Sequence, residues 1–378
     1  MFIVHALSMA FAMFWEILWA LILGFALSGA VQAVVSKKEM SRLLPDDSPH
    51  TLLVASLLGT TSSSCSYAAV ALARSLFRKG ANFTAAIAFQ LASTNLVLEL
   101  GIIMIILLGW QFAAAEFIGA PIMVGIVVWL FRRFLTQKKV QTAKRQADKG
   151  IAGSMEGHAG MDMSVSGGSI WSRITSPKGF TAMSHYFLMD WAAVWRDVLG
   201  GLLIAGALAA WVPKTFWKSF FLATHPTLAV FWGPVVGPLV AVVSFVCSVG
   251  NVPLAAVLWN SGISFGGVIA FIYADLIVLP ILDIYRRYYT ARIAWLLAWT
   301  QFVSMAVAGL VVELLFKALG WIPQQRSATI AEAHISFNYT TVLNVVFLIV
   351  GAVLVWRAAT TGGFAMLRHM NAKDSRSR

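Results

Sequence analysis

The hydrophobic positions of this chain fall in long, mostly apolar runs instead of narrow amphipathic stripes. Residues 17–35, 198–212, 293–316 and 341–356 are the clearest. Runs that approach or exceed about 18–20 apolar residues match the hydrocarbon core of a bilayer, so each predicts a membrane-spanning helix. Polar clusters interrupt the pattern twice, at Thr60-Thr61-Ser62-Ser63-Ser64-Cys65-Ser66 and at Ser248-Val249-Gly250-Asn251-Val252-Pro253. Polar backbone at membrane depth is tolerated only where protein or a water-filled cavity surrounds it. The clusters therefore predict the tips of two re-entrant hairpins, over about 50–77 and 226–259. Gly250 and Pro253 are expected to break the helix and free backbone groups to bind a solute. The plainer alternative is a kinked helix whose serines bond their own backbone.

These two stretches are copies. Sliding the sequence by 182 positions (247 − 65) places Cys65-Ser66 on Cys247-Ser248, Leu72-Ala73 on Leu254-Ala255, Gly80 on Gly262 and Phe83 on Phe265. Ile87-Ala88-Phe89 then meets Ile269-Ala270-Phe271, and Ala92 meets Ala274. At a slightly different offset Gly24 and Gly29-Ala30 match Gly201 and Gly206-Ala207, so the N-terminal run is read as a retained span and not a leader. Repeats with interrupted segments at matching places predict a transporter whose site lies between the halves.

Charge orients the copies. Arg78 and Lys79 fall on neutral Asn260 and Ser261, whereas Arg286 and Arg287 fall on apolar Met104 and Ile105. Basic residues mark cytoplasmic ends, so the copies are expected to run in opposite directions. The fold class that follows is an all-α polytopic membrane protein of two inverted repeats, each with a re-entrant or broken-helix hairpin, and about seven to nine transmembrane segments. The first repeat covers 1–134, and a basic cytoplasmic linker containing Gly, Ser and Met covers 135–184. The second repeat covers 185–359, and a basic cytoplasmic tail covers 360–378. Within the linker, 137–178 reads as flexible. The expected location is the inner (plasma) membrane, multi-pass, with linker and tail cytoplasmic.

Composition supports the membrane reading. The chain is 59% hydrophobic and 12% charged, with a mean hydropathy of +0.78, against about a quarter charged for a soluble domain. Its formal charge of +12 is that of cytoplasmic loops facing anionic lipid, not of a nucleic-acid binder. Two cysteines make no disulfide framework.

Each repeat carries one of those cysteines at its tip. A thiol is the softest ligand a protein offers and suits thiophilic metals, although a lone cysteine is as readily a small buried apolar residue. The candidate substrate site is Ser63, Ser64, Cys65 and Ser66 at the first tip, with Cys247, Ser248, Asn251 and Asp275 in the second repeat. Cys65 and Cys247 are its metal-binding thiols. Met155, His158, Met161 and Met163 form a weaker soft-cation candidate in the linker, against an ordinary polar linker with incidental methionines. Gln90, Asn95, Glu99, Asp283 and Gln301 also lie in or beside spans, where acidic groups often mark an ion path. Asp283 is expected to pair with Arg286 and Arg287, and Glu16 and Glu313 to reach water near span ends.

The run Cys247-Ser248-Val249-Gly250-Asn251-Val252-Pro253-Leu254-Ala255-Ala256 resembles a signature of the predicted permease family that includes organoarsenical efflux permeases. Gly262-Ile263-Ser264-Phe265, Ala270-Phe271, Ala274-Asp275-Leu276 and Pro280 continue the likeness. The first tip departs from it: where the family often has Cys-Ser-Cys-Gly followed by proline, this chain has Ser63-Ser64-Cys65-Ser66-Tyr67. A site of three thiolates is therefore not implied. The resemblance implies a transporter of trivalent organoarsenicals or, in some branches, copper or zinc.

The function expected is a secondary permease exporting a soft metal or metalloid species by alternating access. The alternative is a channel or permease subunit that depends on a partner for coupling. An enzyme is not expected, because His185, His225 and His334 are too scattered to build a catalytic cluster. No phosphate-binding loop, zinc signature or nucleophile elbow is present. The partners implied are a small-molecule or ion substrate and the lipid bilayer, with no cofactor and no nucleic acid. Self-association or a partner subunit is left open.

Overall fold

The computed structural model describes residues 2–34, 42–62, 66–148, 163–165, 169–211, 217, 219–222, 224–244, 248–326, 328 and 339–367. Among the described residues the regular structure is entirely helical. Residues 1–134, expected as the first repeat, contain α1 (Phe2–Val34), α2 (Pro49–Ser62), α3 (Ser66–Arg78), α4 (Phe83–Asn95), α5 (Leu98–Leu107) and α6 (Trp110–Phe134). Two helices follow, α7 (Gln137–Asp148) and α8 (Ile170–Thr175). The remainder is α9 (Pro177–Trp211), α10 (Pro226–Ser244), α11 (Ser248–Ser261), α12 (Phe265–Tyr273), a 3-10 turn (Ala274–Leu276), α13 (Leu279–Tyr289), α14 (Ala291–Leu319) and α15 (Tyr339–Thr360).

The offset of 182 read from sequence recurs in the element boundaries. Added to the first residues of α3, α4, α5 and α6 it gives 248, 265, 280 and 292, within one residue of where α11, α12, α13 and α14 begin. The turn joining the tip helix to the next helix is built alike in both copies. Gly80 and Gly262 hold φ of +108° and +114°, a backbone region that only glycine enters without strain. Two residues later Asn82 caps α4, its side-chain oxygen accepting from the Thr84 and Ala85 amides at 2.8 and 3.3 Å. Its counterpart Ser264 caps α12 by accepting from the Gly267 amide at 3.1 Å. Each such cap stabilises a helix by about 1 kcal/mol.

Matched helices also pack against each other head to tail. Trp110, at the start of α6, meets Trp321 just beyond the end of α14, with ring centroids 5.7 Å apart. Phe134, at the end of α6, meets Trp299 near the start of α14 at 5.0 Å. Thus α6 and α14 run antiparallel. The same holds for α1 and α9, where Gly29 abuts the Met183 carbonyl, Phe25 meets Trp191 at 5.2 Å, and Leu7 and Phe11 line one cavity with Leu199 and Leu203. Glycine permits the close approach, since a Cβ on Gly29 would stand 2.7 Å from that carbonyl oxygen.

Among the described residues four helical segments are long and apolar enough to cross a membrane: Phe83–Leu107, Trp110–Phe134, Ala291–Leu319 and Thr341–Thr360. The pair Phe265–Leu276 and Leu279–Tyr289, bent by 42°, would add a fifth. The protein is thus a multi-pass helical membrane protein. Helices α1 and α9 have 33 and 35 residues, about 50 Å each at 1.5 Å per residue.

Several sequence expectations need correction. The helix anticipated from Phe83 to about Leu108 is interrupted at Leu96 and Val97, where φ and ψ leave helical values. Gly250 and Pro253 do not break their helix. They lie inside α11 near its start, where a proline forfeits one backbone hydrogen bond without ending the helix. Nor is the first part of the linker flexible. Residues 137–148 are rich in Lys, Gln and Ala, good helix formers, and form α7. This helix is pinned by Arg74 donating to the Ala147 carbonyl at 2.7 Å and by Lys144 donating to the carbonyls of Phe77 and Arg78 at 2.8 and 2.7 Å. In the second repeat the segment after α14 straps the matching turn. Arg326 donates to the carbonyls of Trp259 and Ile263 at 2.7 and 2.6 Å and lies 4.2 Å over the Trp259 ring.

Candidate functional site

The residues that the sequence singled out divide unevenly. Ser63, Ser64, Cys65 and Cys247, with Met155, His158 and Met161, lie outside the described residues, so their placement forms no part of the geometry. Ser66, Asn251 and Asp275 are described and completely buried. Ser248 opens α11 just after the second tip. Met163 stands apart from these. Its amide donates to the Tyr186 hydroxyl at 2.9 Å, beside the packed pair of α1 and α9.

The first tip reaches across to the second repeat. Ser66, the first residue of α3, donates its hydroxyl to Asp275 Oδ2 at 2.6 Å. Asp275 lies in the 3-10 turn that interrupts the helical path between α12 and α13. This turn exists because Ile277 and Val278 leave helical geometry before Pro280 can start α13, proline being suited to the first turn of a helix. A broken helix exposes backbone polar groups at depth, the arrangement from which ion and solute sites in membranes are commonly built. The tip helix α11 packs on the same turn, and its Asn251 is buried with neither amide atom in a hydrogen bond.

Around this junction the interior is unusually polar. Glu116 on α6 is completely buried, and neither of its carboxyl oxygens has a hydrogen-bond partner. It lies within electrostatic reach of Asp275. The Tyr273 hydroxyl donates to the Glu116 carbonyl at 3.0 Å. Gln90 donates through Nε2 to the Tyr285 hydroxyl, which also faces Gln301. A carboxylate, an amide and a serine hydroxyl at the break between α12 and α13 can hold a small polar or cationic solute by replacing its water shell.

Glu116, Tyr273 and Tyr285 were not singled out from the sequence. Glu116 has no counterpart to flag it, because position 298 (116 + 182) is Ala298. The signal that could have found it is a single acidic residue inside an otherwise apolar span with a mean hydropathy of 2.0. Glu313, expected to reach water, is instead buried, and its carboxylate accepts the Gly266 amide N–H. Asp283 does pair with Arg286, at 2.7 Å, and with Arg287. Among the described residues no group of three or more His, Cys, Asp or Glu side chains is placed to hold a metal ion.

Comparison with known proteins agrees with this membrane-embedded arrangement. The family model ArsP_1, described as "Predicted permease", matches residues 3–314. "Putative permease Rv2963" of Mycobacterium tuberculosis is 63% identical over 338 residues, covering 89% of this chain and 83% of that protein. No solved structure matches the chain significantly.

Proposed function

The chain belongs to the predicted permease family ArsP_1, and on that premise we propose that it is a secondary permease exporting a soft metal or metalloid species. Its two repeats, inverted relative to each other, would rock about a shared site to alternate access. Substrate is held between the tips by the Cys65 and Cys247 thiols. The hydroxyls of Ser63, Ser64, Ser66 and Ser248, the Asn251 amide and the Asp275 carboxylate complete its coordination. Seven full crossings and two re-entrant hairpins carry this site through the plasma membrane, with the basic linker and the tail in the cytoplasm.

The observation that carries this reading is the hydrogen bond from Ser66 to Asp275, which joins the first tip to the broken helix of the other repeat. The antiparallel packing of α6 on α14 and of α1 on α9 supports the inverted arrangement, since a flip between copies turns each matched pair head to tail. The thiol chemistry supports a soft substrate over a hard one.

Growth of a deletion strain and an overexpressing strain across trivalent organoarsenicals, copper, silver and zinc tests the proposal. Sensitivity of the first and resistance of the second to one of these species supports export. Unchanged growth on all of them removes the soft-substrate reading. Transport by liposomes only when a soluble protein is co-purified favours a subunit that depends on a partner.

A further inference from the structure

We propose that Glu116 and Asp275 form the carboxyl pair through which this protein exchanges a proton for its substrate, Glu116 being the group that binds and releases that proton. This rests on the permease reading above and adds the coupling ion to it.

The argument begins with an unexplained cost. Glu116 lies in the second turn of the 25-residue helix α6, wholly removed from solvent, with no hydrogen-bond partner at either carboxyl oxygen. Burying an uncompensated charge is prohibitive, and burying even a neutral carboxyl without hydrogen bonds costs several kcal/mol. Its repeat counterpart on α14 is Ala298, so the carboxyl is particular to this position. A side chain kept at such cost, with no hydrogen-bond partner here, is suited to a step in which it meets a proton or solute.

Its surroundings indicate what that use is. The ionisable groups that face Glu116 are Asp275 on the 3-10 turn and Tyr273 on α12. The other elements around it supply no cation. On α5, Glu99 turns toward α1, where a Cβ on Gly24 would stand 2.7 Å from its Cγ. On α14, Glu313 is taken up by the Gly266 amide, and α4 carries no acidic or basic residue. Two carboxyls within electrostatic reach in a low-dielectric interior cannot readily carry charge together. The proton on one is therefore governed by whatever neutralises the other.

Asp275 is the member of the pair that meets the proposed substrate site, through Ser66. A cationic or electron-poor substrate settling against Asp275 lowers the negative potential at Glu116, and the pair then releases its proton. Loss of the substrate restores that potential, and Glu116 takes up a proton from the aqueous phase to which the site is open. Only an O–H bond forms and breaks, and the proton moves opposite to the substrate. By linkage, binding of either one weakens binding of the other.

The test uses the full-length protein in proteoliposomes, with trivalent methylarsenite as the probe. Wild type is expected to exchange external for internal methylarsenite and to accumulate it when an inside-acid pH gradient is imposed. Glu116→Gln is expected to keep exchange and lose accumulation, because a fixed neutral side chain can cycle loaded but cannot carry the proton. Infrared difference spectra of the same proteins in nanodiscs, recorded with and without methylarsenite, should show a protonated-carboxyl band that is lost in Glu116→Gln and kept in Glu99→Gln. Continued gradient-driven accumulation by Glu116→Gln overturns the proposal, as does an unchanged carboxyl band. Failure of wild type to exchange methylarsenite counts against the organoarsenical reading instead; infrared difference spectra between acid and neutral pH, recorded without methylarsenite, then decide Glu116 by whether a titrating carboxyl band is lost in Glu116→Gln.

Discussion

Ser66 and Asp275 stand 209 positions apart in the chain, yet the Ser66 hydroxyl donates a 2.6 Å hydrogen bond to an Asp275 carboxyl oxygen inside the protein. A hydroxyl at that distance from a carboxylate is in the range of charge-assisted hydrogen bonds, roughly twice as strong as neutral ones. The bond ties the first residue after one tip to the break in the opposite repeat. The alternating access proposed above would have to stretch or remake it.

Removing this donor should be felt in stability as well as in transport. Ser66→Ala is expected to destabilise the protein by about 1–3 kcal/mol. Asp275→Asn should do the same, and the double variant should fall short of the sum by more than about 0.5 kcal/mol. Denaturation of the three variants in detergent measures this coupling. Strict additivity would mean that the two groups do not act on each other.

The thiols should matter to the substrate and not to folding. Replacing Cys65 and Cys247 together by serine is expected to abolish resistance to the transported species while membrane expression stays at the wild-type level. Each single replacement should weaken resistance in the same direction. Full resistance in the double variant removes the thiol mechanism and leaves the permease standing.

Arg74 is one of the residues that hold helix α7, with Lys144 and Gln146. The Arg74 side chain is buried, lies 4.3 Å over the Tyr288 ring and donates to the Ala147 carbonyl. Arg74→Leu should release α7 and let trypsin cut at Lys144 and Arg145 at least tenfold faster, an increase corresponding to about 1.4 kcal/mol in the docking equilibrium. Timed digestion of inverted membrane vesicles checks it. Equal cutting rates would show that Lys144 and its carbonyl partners hold the helix unaided.

Asp46 sets the start of α2. Its carboxylate accepts from the Thr51 hydroxyl at 2.6 Å and the Ser48 amide at 3.0 Å, and these bonds, that from Thr51 foremost, lower its pKa to about 2. With an unfolded value of about 3.9, the folded state binds the proton more weakly than the unfolded one. The stabilisation is therefore fully present above that unfolded value and is lost as pH falls through about 2. The stability difference between wild type and Asp46→Ala should be flat from neutral pH down to about 5 and shrink below it. A carboxyl carbon titration by NMR gives the folded value directly.

How much of this was legible in the sequence depends on what kind of signal each residue leaves. The matching turns and caps at Gly80 and Gly262, and at Asn82 and Ser264, were legible because small and polar residues recur at one offset. Asp275 was legible as an acidic residue within an apolar run. Glu116 was not, because the repeat has alanine at the matching place and comparison of the copies passes over it. The break at Leu96 and Val97 left no glycine or proline to mark it. The docking of α7 was hidden because a basic, polar helix looks like a solvated linker until Arg74 is seen to be buried against it.

The account rests on the copies facing opposite ways, and sided labelling tests it most directly. Lys138 follows α6, and Gln324 follows α14, its counterpart; both are exposed. In a background with Cys65 and Cys247 changed to serine, Lys138→Cys and Gln324→Cys are each treated with a membrane-impermeant maleimide, on intact cells and on inverted vesicles. The account predicts that Gln324→Cys is labelled on cells and Lys138→Cys only on inverted vesicles. Labelling of both from the same side would contradict it.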